Sequence, residues 1–166
     1  MSKKPFVLII ILLGAAIIIL GIAKKIQRND LPGPVSRFAP NATEIVNKKE
    51  IVIGSEKLLV EVADTPEAWA KGLGGREQLA ENEGMIFVFP NANFYSFWMK
   101  GMKFGLDFIW IKGDKIIDIT QNVLPPKDAF DQLPIYQPKQ IIDKVLEVNA
   151  GWVERHGVTI GDNVKM

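Results

Sequence analysis

The run Phe97-Trp98-Met99-Lys100-Gly101-Met102-Lys103-Phe104-Gly105-Leu106-Asp107-Phe108-Ile109-Trp110-Ile111 decides how this chain folds. It lies inside a longer stretch, from Gly84 to Ile111, that holds three segments dense in aromatic and β-branched residues: 85–89, 95–100 and 106–111. Pro90-Asn91 and glycines separate them, which is how consecutive strands of one sheet are written. In the last segment Leu106, Phe108 and Trp110 alternate with Ile109 and Ile111. Both faces are therefore apolar, and a central strand covered on both sides is predicted. One carboxylate, Asp107, stands at its entrance.

On the C-terminal side, Lys112-Gly113-Asp114-Lys115 predicts a tight turn into a strand over 116–123. Residues 124–138 carry Pro125, Pro126, Pro134 and Pro138, with Phe130 and Tyr136 among them. A long proline-marked loop in a small domain covers a site or closes a sheet edge. A strand over 145–149 follows, then a helix over 150–156 with Asn149 as its cap and Gly157 as its stop. A short edge segment over 158–160 and a last pairing near Val164 complete this half.

On the N-terminal side, strands over 50–53 and 58–63 flank Gly54-Ser55 as an opening hairpin. Asp64-Thr65-Pro66-Glu67 starts a short helix, capped by Asp64 in a capping box or by Thr65 with Pro66 in the first position. Gly72, Gly74 and Gly75 end it, with Leu73 plugging into the sheet, and 76–83 is a polar loop or single turn. The tally is about seven strands and two short helices, a mainly β (α+β) class. The fold predicted is a small, mostly antiparallel barrel or rolled sheet.

Ahead of this domain, Phe6 to Ala23 carries no charged or strongly polar side chain. Eighteen residues at helical rise cover roughly 27 Å, close to the hydrocarbon thickness of about 30 Å. A cleaved signal peptide is the rival reading, with Gly21-Ile22-Ala23 as a small-x-small site. The run is longer than the usual apolar region of about 7–15 residues, and lysines follow at once. A core helix would need a polar face at helical spacing, and none exists. The segment 1–29 is thus read as an uncleaved signal-anchor in the lipid bilayer. Residues 30–43, with Pro32, Pro34 and Pro40, are read as a tether, and 44–166 as one β-rich domain. Basic residues flank the span on both sides; the short N-terminal tail favours export of the domain.

The 166-residue chain has a net charge of +1. Without residues 1–29 there remain 15 basic against 19 acidic side chains, a net charge of −4. Nucleic acid is a poor partner for such a surface. The absence of cysteine excludes disulfides, thiolate catalysis and cysteine-held metals. His156 is the sole histidine, so a histidine-rich metal site is excluded too, and no calcium-loop run occurs. No cofactor is expected.

Five motifs taken in order resemble a known family. They are Gly72-Leu73-Gly74-Gly75-Arg76, Gly84-Met85-Ile86-Phe87-Val88-Phe89, Phe97-Trp98-Met99-Lys100, Leu106-Asp107-Phe108-Ile109-Trp110-Ile111 and Leu146-Glu147-Val148-Asn149-Ala150-Gly151-Trp152. The family is the uncharacterised prokaryotic domain of unknown function 192, and the resemblance spans roughly residues 58–164. It implies a compact, mostly β domain, often behind an export signal or membrane anchor, with no established activity. The chain departs from it at Gly101-Met102, commonly Asn-Thr, and at Gly105, often Pro.

Asp107 is the candidate for chemistry, since a carboxylate opening an apolar strand is protonated more readily unless paired. Its plain structural alternative is a carboxylate that accepts N–H bonds from the 102–105 turn or pairs with Lys100 or Arg76. Trp98 and Lys100 share one face of their segment, an indole beside an ammonium, suited to sugars or anions; alternatively they are a core aromatic and a solvated lysine. Arg76 after its glycines suits a carboxylate or phosphate. Glu147 and Asn149 share a strand face and would join Asp107 in a polar cluster, the minimum for a two-carboxylate hydrolase. His156 sits where it favours a helix C-terminus.

Two functions follow. One is an extracytoplasmic domain that binds a small polar ligand or an envelope sugar, peptide or protein. The other is a hydrolase or lyase using Asp107 with Glu147 or Lys100, with a purely structural scaffold as the plainest alternative.

Overall fold

The computed structural model describes residues 47–128 and 133–166. The expected span and tether, and Phe130 of the proline loop, lie outside the described residues. In chain order the elements are β1 (Lys48–Ile53), β2 (Glu56–Ala63), α1 (Pro66–Lys71), β3 (Glu83–Asn93), β4 (Leu106–Lys112), β5 (Lys115–Val123), β6 (Ile142–Asn149), α2 (Trp152–Arg155) and β7 (Val164–Lys165). The strands form one curled sheet, a half-barrel, in the order β5-β4-β6-β3-β2-β1-β7.

Local chemistry explains the connections. Gly54, at φ 61°, turns β1 back on β2, and Gly113, at φ 63°, turns β4 back on β5. β2 and β3 are parallel, the one parallel pair among the described residues, and a parallel pair needs a crossover. α1 supplies it: Thr65 Oγ1 accepts the Ala68 N–H at 3.2 Å, Pro66 takes the first turn, and Gly72 ends the helix at φ 49°. Of the two caps considered, Thr65 is the one used.

Two cores lie on opposite faces of the sheet. Ile53 and Val164 near one edge and Ile116 near the other pack into a single cluster with Ile109, Ile111, Leu146 and Trp152, so this is the concave face. The convex face carries Phe87, Phe108, Trp110 and Val145 under Leu73, Met99 and Met102. β4 is buried on both faces, as its pattern predicts. It is not the middle strand, however: β6 inserts between β3 and β4, which are consecutive in sequence.

Other expectations need correction. Residues 95–100 are not a strand; apart from an isolated bridge between Phe97 and Tyr136, they run as an irregular cover over the convex face. Their alternation is nonetheless real, with Met99 buried, Phe97 half-buried, and Trp98 and Lys100 exposed. The helix after β6 is shorter than expected, and its N-cap is Gly151, not Asn149. Residues 158–160 form no edge segment, whereas Val164–Lys165 does pair, with β1.

Candidate functional site

The convex-face cover leaves a cleft of about 690 Å³ between α1, β3, β6 and residues 95–102. Its walls are aromatic: Trp69 from α1, Phe87 and Phe89 from β3, and Tyr95, Phe97 and Trp98 from the cover. These rings brace one another. Phe89 stacks on Tyr95 at 3.6 Å between centroids, Trp69 tilts against Phe89 at 5.1 Å, and Phe87 meets Phe97 edge-on at 5.0 Å. The Trp69 indole N–H donates to the Ala63 carbonyl at 2.9 Å, and the Tyr95 hydroxyl donates to the Asn91 carbonyl at 2.8 Å. The polar ends of Trp69 and Tyr95 are thereby turned to backbone, and the rings line the space.

Glu147 belongs to the floor of this cleft and is only 5% exposed. It lies between Met85 of β3 and Phe108 of β4 in the sheet register, both apolar. Its carboxylate has no hydrogen bond or ion pair, and burial alone pushes its pKa up to about 8. Every fully buried side-chain polar atom among the described residues has a partner, so the Glu147 oxygens face the cleft rather than packed protein. At the mouth stand Lys71, Trp98 and Lys100, with the Lys100 ammonium 5.9 Å from the centroid of the Trp98 ring.

Arg76 lies outside this cleft. It makes a two-pronged ion pair with Glu61, at 2.5 and 2.6 Å, beside a smaller cavity of about 320 Å³. Glu61 is 7% exposed, and the Arg76 guanidinium holds its carboxyl below the ordinary range.

Asp107 is fully buried and its carboxylate is saturated. Oδ1 accepts the N–H of Asn122 at 2.7 Å and of Gly151 at 3.1 Å, while Oδ2 accepts the Val153 N–H at 3.0 Å. Neither the 102–105 turn nor Lys100 nor Arg76 supplies a partner. The acid caps α2 from a neighbouring strand, in place of the side-chain cap that Gly151 lacks. Asp107 pairs with Val148 in the register and Phe108 with Glu147, so the two acids point to opposite faces of the sheet.

Asn149 shares the convex face with Glu147 but is used structurally, its amide donating to the Leu79 and Ala80 carbonyls at 3.0 and 3.3 Å. His156 Nδ1 lies 2.8 Å from the Trp152 carbonyl, with its ring stacked on that indole. Of the six residues singled out in the sequence, Trp98, Lys100 and Glu147 come together; Arg76, Asp107 and Asn149 do not. Sequence reasoning passed over Trp69, Phe89, Tyr95 and Lys71. Aromatic density around Pro90-Asn91 signalled Phe89 and Tyr95, but nothing local places α1 beside them. No group of side chains suited to a metal ion occurs among the described residues.

Two crystal structures are similar to this chain. One, from Sinorhizobium meliloti 1021, is described provisionally as a transcription regulator. It is 32% identical, with a TM-score of 0.66, over 72% of this chain and 94% of that one. The other, a protein of unknown function from Novosphingobium aromaticivorans DSM 12444, is 29% identical with a TM-score of 0.65, over 72% and 85%. No curated protein matches the chain. The model of a family described as uncharacterized ACR, the domain of unknown function 192, matches residues 49–166, more than two thirds of the sequence. The chain belongs to the domain of unknown function 192 family.

Proposed function

We propose that residues 44–166 are a ligand-binding domain held at the extracytoplasmic face of the cell membrane by the span from Phe6 to Ala23. The observation that carries the binding is Glu147, a buried acid without a protein partner in an aromatic-walled cleft. An uncompensated buried acid costs the fold stability, and such costs collect where ligands act. The cleft's volume lies within the range of small-molecule sites, about 300–1,000 Å³. Ring faces suit the flat apolar sides of a sugar or a short peptide, while Glu147 and Lys100 orient polar groups. A net charge of −4 beyond residue 29 speaks against nucleic acid. A hydrolase pairing Asp107 with Glu147 has no geometric basis, because the sheet stands between them.

Anchoring is tested by fractionation: the full chain should sediment with membranes, require detergent for release, and be cut by protease added from outside. Recovery of the intact chain from the cytosol overturns it. Binding is tested by melting the full chain in detergent with soluble envelope fragments. Tm should rise and tryptophan emission change, both less in Trp98→Ala. If no envelope fraction moves either signal, the domain is a scaffold.

A further inference from the structure

We infer that the chemical group received on the floor of this cleft is an alkylammonium, the charged end of an amine on an apolar stem, with Glu147 as its counter-ion. The inference rests on the binding reading above and names what binds. Three observations meet here. Glu147 is 5% exposed as a residue, yet its carboxyl oxygens open onto the cleft rather than onto a donor. The surrounding walls are aromatic, and aromatic side chains attract cations and apolar stems alike. At the mouth a cation already lies over an aromatic face, Lys100 over Trp98.

Other ligand ends fit less well. An anion at this depth would meet the acid. A neutral alcohol would gain one hydrogen bond from protonated Glu147 but no ion pair. A primary ammonium gains the charge-assisted bond and the ring faces together. The charged groups lining the cleft are Lys71 on α1 and Lys100 on the cover, with Tyr95 on the same cover turned to the Asn91 carbonyl; β3 and β4 set only Met85 and Phe108 against Glu147. Both lysines are exposed at the mouth, where they favour a ligand whose outer end is anionic.

Proton balance gives the inference a signature. Burial holds Glu147 as the acid below its pKa of about 8. When the ammonium enters, the carboxyl O–H bond breaks, the proton leaves to solvent and the carboxylate pairs with the cation. Affinity for an amine should therefore rise roughly tenfold per pH unit up to about pH 8 and then level off.

The test titrates the full chain with n-hexylamine, n-hexanol, hexanoate and 6-aminohexanoate between pH 6 and 9, by calorimetry in two buffers and by tryptophan emission. Hexylamine should bind at least about tenfold more tightly than hexanol at pH 8, releasing close to one proton at pH 6.5. In Glu147→Gln, which keeps the side-chain volume, amine affinity should fall to that of hexanol and lose its pH dependence. Hexanol or hexanoate binding as well as hexylamine to the wild type overturns the ammonium assignment while leaving the cleft a binding site. Silence from all four probes overturns the ammonium assignment, while the binding reading is overturned separately, by envelope fragments that leave Tm and tryptophan emission unmoved.

Discussion

At the scale of single residues the two buried acids of the sheet are opposites. Asp107 is surrounded by donors and Glu147 by none. Glu147 therefore makes the domain less stable as pH rises. An unfolded chain releases this proton near pH 4.5, the folded one only near 8. Between those values the folded state holds the extra proton, so stability declines with rising pH and levels off above about 8. The loss is on the order of 5 kcal/mol across the window. Glu147→Gln should remove that slope in urea unfolding between pH 5 and 9, leaving the variant more stable than the wild type at pH 9. Equal slopes in the two proteins would contradict this.

Asp107→Asn should behave otherwise. An amide cannot accept all three N–H bonds, and its NH₂ would face a donor, so unfolding free energy should fall by about 2–4 kcal/mol. Cleft binding should be unchanged, because the acid lies on the far side of the sheet. A chain with wild-type Tm and lost binding would return Asp107 to the functional site.

At the scale of elements, periodicity revealed faces and concealed partners. The alternation in 106–111 correctly predicted burial on both sides of β4, and the glycine turns correctly predicted both hairpins. Residues 95–100 alternate just as a strand does, yet among the described residues only one bridge forms, to Tyr136 in the proline-marked loop. Period two records which side chains point inward, and hydrogen-bonded neighbours are a separate matter settled by distant chain. For the same reason nothing local announced that β6 would part β3 from β4. Glu147 was legible as a polar residue on a strand face; the space above it was not, since α1, β3 and the cover build it from three parts of the chain.

Gly84 tests how tightly those elements are set. A Cβ there would lie 2.8 Å from the Glu147 carbonyl oxygen and 3.2 Å from Leu146 Cδ1, so β3 and β6 would have to separate. Gly84→Ala should cost about 1–3 kcal/mol in thermal or urea unfolding. It should also weaken binding in the cleft, because the strand displaced is the one that carries Glu147. Wild-type stability in that variant would mean that the two strands yield more easily than their register implies.

At the scale of the whole domain, β5 at one edge of the half-barrel and β1 beside the other are both served by one short segment, residues 161–166. β7 pairs with Val52 and Ile53 of β1. Just before it, Asn163 bridges to Lys115 of β5, the Ile116 N–H donates to the Asp162 carbonyl at 2.9 Å, and the Gly161 N–H donates to the Ile116 carbonyl at 2.8 Å. Removing residues 161–166 would strip hydrogen-bond partners from β1 and β5 at once. Bare strand edges recruit other chains. The shortened protein should elute as oligomers in size-exclusion chromatography where the full chain does not. Because this segment follows β1 and β5 in the chain, a growing chain carries both edges unpaired until residues 161–166 have emerged. Aggregation during synthesis is therefore most favoured in the interval before that segment joins the sheet.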